Sequence, residues 1–120
     1  MQNITIKSGT SAKISITPKI NGAVATAEQL AGVTIYVFFV YQFTGKVYGT
    51  PYQLTSGNLT INLSPEETIK MLGNAEENQK YEIQFAIKNA DGDVIADEKD
   101  SSIVINITKW EAGQWLQKQQ

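Results

Sequence analysis

The chain contains neither histidine nor cysteine. Any chemistry it performs must therefore come from carboxylates, hydroxyls, amines and aromatic rings. Imidazole bases, thiol nucleophiles, disulfides and nearly all zinc or haem ligation are excluded. Carboxylates gather in two places. Glu66 and Glu67 are adjacent, the minimum for an acid/base pair. Asn89-Ala90-Asp91-Gly92-Asp93, followed by Asp97, Glu98 and Asp100, places oxygens at alternate positions as a calcium loop does. In that loop the glycine falls at the wrong offset and no closing glutamate follows, so an acidic hairpin turn is the stronger reading and a weak calcium site the lesser one. Serines and threonines are numerous, but no base is spaced to activate one, and no glycine-rich phosphate loop is present. Asn-X-Ser/Thr triplets at Asn3, Asn58, Asn62 and Asn106 fit the solvent faces of strands, where alternating Asn and Thr is ordinary.

The aromatic residues are more informative. Both tryptophans, Trp110 and Trp115, lie near the end of the chain, with Leu116 beside the second. Tryptophan is costly to leave in water and is enriched at interface hot spots. Trp110 can fold back over the end of a core, whereas Trp115 and Leu116 sit in a polar segment and point to a partner subunit. Tyr41, Tyr48 and Tyr52 form a second group, as strand-packing residues or as surface platforms for a sugar.

The elements that position these residues are mostly strands. Period-two alternation runs through Ile4 and Ile6; through Ala12, Ile14 and Ile16; through Leu59, Ile61 and Leu63; through Tyr81, Ile83, Phe85 and Ile87; and through Ile103, Ile105 and Ile107. Val94 and Ala96 form a short return strand after the acidic turn. Residues 33–43 form the longest strand, with Val33, Ile35, Val37, Phe39, Tyr41 and Phe43 on one face. Tyr36, Phe38 and Val40 make the other face apolar too, which suits a central strand covered on both sides. Residues 46–52, interrupted by Gly49 and Pro51, read as an edge strand.

Two helix starts are legible. Thr26 and Gln29 have capping-box spacing, with Gly32 as terminator, and imply one helical turn. Ser64-Pro65-Glu66-Glu67 is the stronger signal, with an N-cap serine, proline at the first helical position and carboxylates at the positive end of the dipole. This assigns the Glu66–Glu67 pair to helix chemistry. Ile69 and Leu72 are expected to face inward, and Gly73 to end the helix.

The result is an all-β fold, an immunoglobulin-like β-sandwich of about seven to eight antiparallel strands with one short helix near residues 65–72. Residues 1–109 form the sandwich and residues 110–120 a tryptophan-containing tail. The 120-residue length suits one domain, which at this size buries roughly two-thirds of its unfolded surface. A net charge of −2 argues against a nucleic-acid backbone as partner. No basic n-region followed by an apolar core opens the chain, and the longest apolar stretch, residues 35–41, is too short to span a bilayer as a helix. The lack of cysteine in so small a domain favours assembly in a reducing cytoplasm.

Several segments resemble the immunoglobulin-like modules of phage structural proteins, among them the N-terminal domains of baseplate upper proteins. They are Lys7-Ser8-Gly9-Thr10-Ser11-Ala12-Lys13-Ile14-Ser15-Ile16, Glu28-Gln29-Leu30-Ala31-Gly32-Val33-Thr34-Ile35, Ser64-Pro65-Glu66-Glu67-Thr68, Tyr81-Glu82-Ile83-Gln84-Phe85 and Asp91-Gly92-Asp93. The similarity spans roughly residues 2–108. Unlike baseplate upper proteins, this chain does not continue into shaft and receptor-adaptor regions, which suits a capsid decoration protein or a small tail or baseplate component. The resemblance implies a non-enzymatic virion protein that assembles in the host cytoplasm and docks on capsid or tail subunits or on copies of itself. It implies no cofactor, no metal, no nucleic acid and no membrane. The alternative is a carbohydrate- or cell-surface-binding module using Tyr41, Tyr48 and Tyr52.

Overall fold

The structure, a computed structural model, describes residues 2–109. Its elements in chain order are β1 (Gln2–Lys7), β2 (Ala12–Ser15), β3 (Lys19–Ile20), β4 (Ala23–Val24), β5 (Thr34–Tyr41), β6 (Val47–Leu54), β7 (Thr60–Leu63), α1 (Pro65–Leu72), β8 (Asn78–Lys88) and β9 (Val94–Thr108). Five strands form one sheet in the order β1-β9-β8-β5-β6, while β2 pairs with β7 and β3 with β4. The fold is all-β with a single short helix among the described residues.

Side-chain alternation explains the layering. Along β8, Tyr81, Ile83, Phe85 and Ile87 are buried while Glu82, Gln84 and Ala86 are half-buried. The inward set meets Ile35, Val37 and Phe39 of β5, and the same core takes Ile14 from β2 and Ile61 and Leu63 from β7. The two-stranded sheet therefore covers the inner face of the large one. Each such buried aliphatic side chain contributes on the order of 1.5–3 kcal/mol relative to exposure. Turn chemistry fixes the connections. Asn21 and Gly22 both have positive φ (54° and 80°), as a two-residue hairpin between β3 and β4 requires. Asn89 Oδ1 accepts from the amides of Asp91 (3.0 Å) and Asp93 (2.9 Å), which folds the β8–β9 turn.

Four expectations need correction. The strands are not all antiparallel: β1 pairs in parallel with β9, from Gln2↔Ile103 to Lys7↔Thr108. Parallel neighbours need a long crossover, and here nearly the whole chain between them supplies it. The segment after the acidic turn is one strand of 15 residues, not two; it absorbs residues 101–103 in a register shift, since Ile83 faces Asp100 while Glu82 faces Val104. Phe43 is not a core residue but is 85% exposed. The chain leaves β5 at Tyr41 and reverses at once, with Gly45 N donating to Tyr41 O (2.8 Å), so the period-two pattern stops before Phe43. Ile69 is likewise outward; the inward helical positions are Thr68, Met71 and Leu72. Thr68 belongs there because its hydroxyl is fully used. Oγ1 accepts from Gly9 N (3.0 Å) and shares its proton between Thr10 O (2.9 Å) and Pro65 O (3.0 Å). One buried hydroxyl thus latches α1 to the β1–β2 turn. The second face of β5 is intermediate in character: Val40 is buried, while Tyr36 and Phe38 are half-covered, Tyr36 by the Lys88 ammonium 5.5 Å from its ring centroid.

Candidate functional site

The side chains most able to engage a ligand lie where β6 passes α1. The local sequence makes β6 irregular. Val37 pairs with Tyr52 and Phe39 with Tyr48, so Gly49, Thr50 and Pro51 stand opposite Phe38 alone. A bulge of this kind bends the strand and re-aims its side chains. Gly49 allows it by adopting φ 61°. Pro51 is tolerated because β6 is the sheet's edge. Between the bulge and α1 lies a cleft of about 420 Å³ lined by Tyr48, Gly49, Thr50, Pro51, Tyr52, Glu67 and Lys70.

Tyr48 and Tyr52 belong to a packed set of aromatic rings that continues behind the cleft. Tyr81 is fully buried and its hydroxyl donates to Met71 O, tying the start of β8 to the end of α1. Phe39 meets Tyr52 edge-on at 5.6 Å and Tyr81 at 6.3 Å; Tyr48 meets Tyr81 at 5.5 Å and Tyr41 at 6.0 Å, while Tyr41 and Tyr81 are tilted at 4.9 Å. Edge-to-face pairs at these separations add about 0.5–1.5 kcal/mol each beyond area burial.

Glu67 organises the polar side. Tyr52 donates its hydroxyl to Glu67 Oε1 at 3.3 Å, and Tyr48 lines the same cleft. Burial, followed by the nearby Glu67 charge, pushes the Tyr48 and Tyr52 phenols up to about 12. Burial, then the neighbouring Tyr41 phenol, raises Tyr81 further still. Both cleft tyrosines are thus neutral donors at ordinary pH. Lys70, one turn beyond Glu67, brings an ammonium to the same cleft.

The three tyrosines singled out from the sequence are all half-buried, and Tyr48 and Tyr52 line the cleft whereas Tyr41 packs behind it. Trp110, Trp115 and Leu116 lie outside the described residues. Sequence reasoning missed Thr50, Lys70 and the inward turn of Glu67. Of these, only Thr50 had a signal, since it lies in the bulge between the Gly49 and Pro51 interruptions of an edge strand. The acidic stretch after β8 does not converge: Gln84 Nε2 donates to Asp97 Oδ1 (3.1 Å) on one side of the sheet, and Gly22 N donates to Glu98 Oε1 (2.7 Å) on the other. With Asn89 committed to its turn, no group of three or more metal-ligating side chains is found among the described residues. Nor, among them, is any helix long and apolar enough to cross a membrane. In comparisons with protein-family models, curated proteins and solved structures, nothing matches this chain.

Proposed function

We propose that this chain is an immunoglobulin-like module that serves as a non-enzymatic structural component of a virion, docking on capsid or tail subunits. The observation that carries the immunoglobulin-like reading is the strand arrangement. A β9-β8-β5-β6 sheet, extended by β1 and faced by β2-β7, corresponds to the G-F-C-C′ and B-E strands of a variable-type domain. Tyr81 supports it. In such domains a tyrosine at the start of strand F bonds back to the chain before it, two residues ahead of a core cysteine. Here Tyr81 bonds to Met71 O, and the core position two residues on is Ile83, 2% exposed. Ile83 belongs to the apolar core that also takes Ile14 from β2.

The virion assignment rests on the resemblance to phage modules described above. A rigid two-layer body suits docking through surface complementarity, and the polar groups that meet inside it serve as fastenings: Thr68 holds α1 to the β1–β2 turn and Tyr81 holds it to β8. The docking residues in this reading are Trp110, Trp115 and Leu116. The test is incorporation. Particles are assembled with the intact chain or with one ending at Lys109, purified on a density gradient and probed for the protein. Retention of the intact chain and loss of a folded shortened one is the expected result. A protein absent from the particles in both cases sinks the proposal.

A further inference from the structure

We infer that the cleft between the β6 bulge and α1 is a binding site for a neutral, hydroxyl-rich ligand, a saccharide unit. The inference is independent of the virion reading, because it uses none of the tail residues. Its volume of about 420 Å³ falls within the roughly 300–1,000 Å³ typical of small-ligand sites. The charge pattern selects the ligand class. Glu67 and Lys70 face the same space, so an anion such as a phosphate meets a carboxylate and a cation meets an ammonium. A neutral ligand that both donates and accepts hydrogen bonds suffers neither penalty. Hydroxyl groups are such donors and acceptors, and the cleft offers each kind of counterpart within a few residues. The Glu67 carboxylate accepts, the Lys70 ammonium donates, and the Thr50, Tyr48 and Tyr52 hydroxyls do either.

The arrangement is held in place before any ligand arrives. Tyr52 is fixed at its ring by Phe39 and at its hydroxyl by Glu67. Tyr48 is fixed by Tyr81 and Tyr41. Glu67 stands on a capped helix whose Ser64 Oγ accepts from Glu67 N at 3.1 Å. Preorganisation of this kind reduces the ordering cost of binding. The bulge makes room for the ligand: three residues of β6 oppose one of β5, and the extra chain forms the far lip of the cleft. Half-buried tyrosine rings offer the apolar side of a pyranose a surface to lie on, while their hydroxyls stay within reach of its substituents.

The test displays the intact protein in multivalent form on an array of defined glycans, then titrates the retained glycan against wild type, Glu67→Gln, Tyr52→Phe and Tyr41→Phe. Each variant is first checked for an unchanged amide NMR spectrum away from the substitution. The expected result is a bound glycan whose affinity drops about tenfold in Glu67→Gln and in Tyr52→Phe, as loss of one well-placed bond to a charged or neutral partner gives. Tyr41→Phe, in the same aromatic cluster but outside the cleft, leaves the affinity unchanged. Retention of no glycan above an unrelated β-protein overturns the inference. So does a glycan held equally by all the variants, or an affinity that falls only in Tyr41→Phe.

Discussion

At residues 26–29 the chain closes a capping box on both sides: Gln29 N donates to Thr26 Oγ1 (3.2 Å) and Thr26 N donates to Gln29 Oε1 (2.9 Å). At residues 64–67 the first of these bonds has its counterpart in Glu67 N to Ser64 Oγ (3.1 Å), but Glu67 Oε1 accepts from the Tyr52 hydroxyl of the neighbouring edge strand. The two segments share one local signature. The first spends both side chains on its own backbone and stays a single turn, ended by Gly32 at φ 71°. The second already has Pro65 and two carboxylates to stabilise its start, and it continues for eight residues. The carboxylate that would have closed the box is directed into the cleft beside β6. A helix start with redundant stabilisation can release a side chain for another use.

The segments also differ in how they are anchored, and substitutions should separate them. The turn at 26–32 is held by Leu30, 6% exposed. α1 is held by Met71 and Leu72 and by two buried hydrogen-bonding residues, Thr68 and Tyr81. The largest effect is expected from Tyr81→Ala, which removes a fully buried ring from contact with Phe39, Tyr41 and Tyr48. It should destabilise the domain by about 3–5 kcal/mol, read as a fall in urea midpoint at constant slope. Tyr81→Phe should cost about 1–3 kcal/mol, because Met71 O loses its phenol donor. If the two variants are equally stable, packing is not what the ring contributes.

Next comes Thr68→Val, which keeps the volume and deletes the hydroxyl. It leaves Gly9 N and Thr10 O without their partner, at a cost of about 1–3 kcal/mol. Hydrogen exchange should rise at Gly9 and in the first turn of α1 while residues 26–32 are unaffected. Faster exchange confined to the helix would show that the β1–β2 turn does not depend on this latch. Smaller still are the caps. Ser64→Ala and Thr26→Ala should each cost about 1 kcal/mol, and adding Gln29→Ala to Thr26→Ala should cost little more than the single change if the box acts as a unit. The matching pair Ser64→Ala and Glu67→Ala should be additive, because the two side chains serve different partners.

The contrast also marks what was legible in the sequence. The strands around Tyr81–Ile87 and Ile35–Phe39, the turns at Asn21-Gly22 and Asp91-Gly92, and both caps follow from local rules: a side-chain period of two, a positive φ, a hydroxyl three residues before an amide. Partner identity does not follow from them. Nothing within residues 64–72 says that β6 lies within reach of Glu67, and Thr68 reads as a neutral helix residue until Gly9 and Thr10 are placed against it. Phe43 differs for the opposite reason: the alternation of residue types continues one residue pair past the point where the backbone turns. The parallel pairing of β1 with β9 was hidden because strand alternation carries no direction. The sites closest to function are thus the ones the local pattern specifies least, since they lie where two elements distant in sequence meet.

The least destabilising change should be the most informative about Glu67. In the fold Tyr48 and Tyr52 ionise only near pH 12, against an ordinary value of 10. A tyrosine whose folded value is raised holds its proton longer folded than unfolded. Its stabilising effect is therefore complete below pH 10 and disappears as pH climbs from about 10 to 12, where the unfolded chain has already released the proton. Stability measured by urea denaturation should accordingly fall across that window. Glu67→Gln removes the negative charge but not the burial, so both phenols should titrate at lower pH than in wild type while remaining above 10, followed by tyrosinate absorbance near 295 nm. The unfolding free energy at pH 7 should change by less than about 1 kcal/mol, as expected for a partly solvated bond. Unmoved phenol titrations would mean that burial alone sets them, and that the carboxylate diverted from its capping box has no electrostatic hold on the cleft.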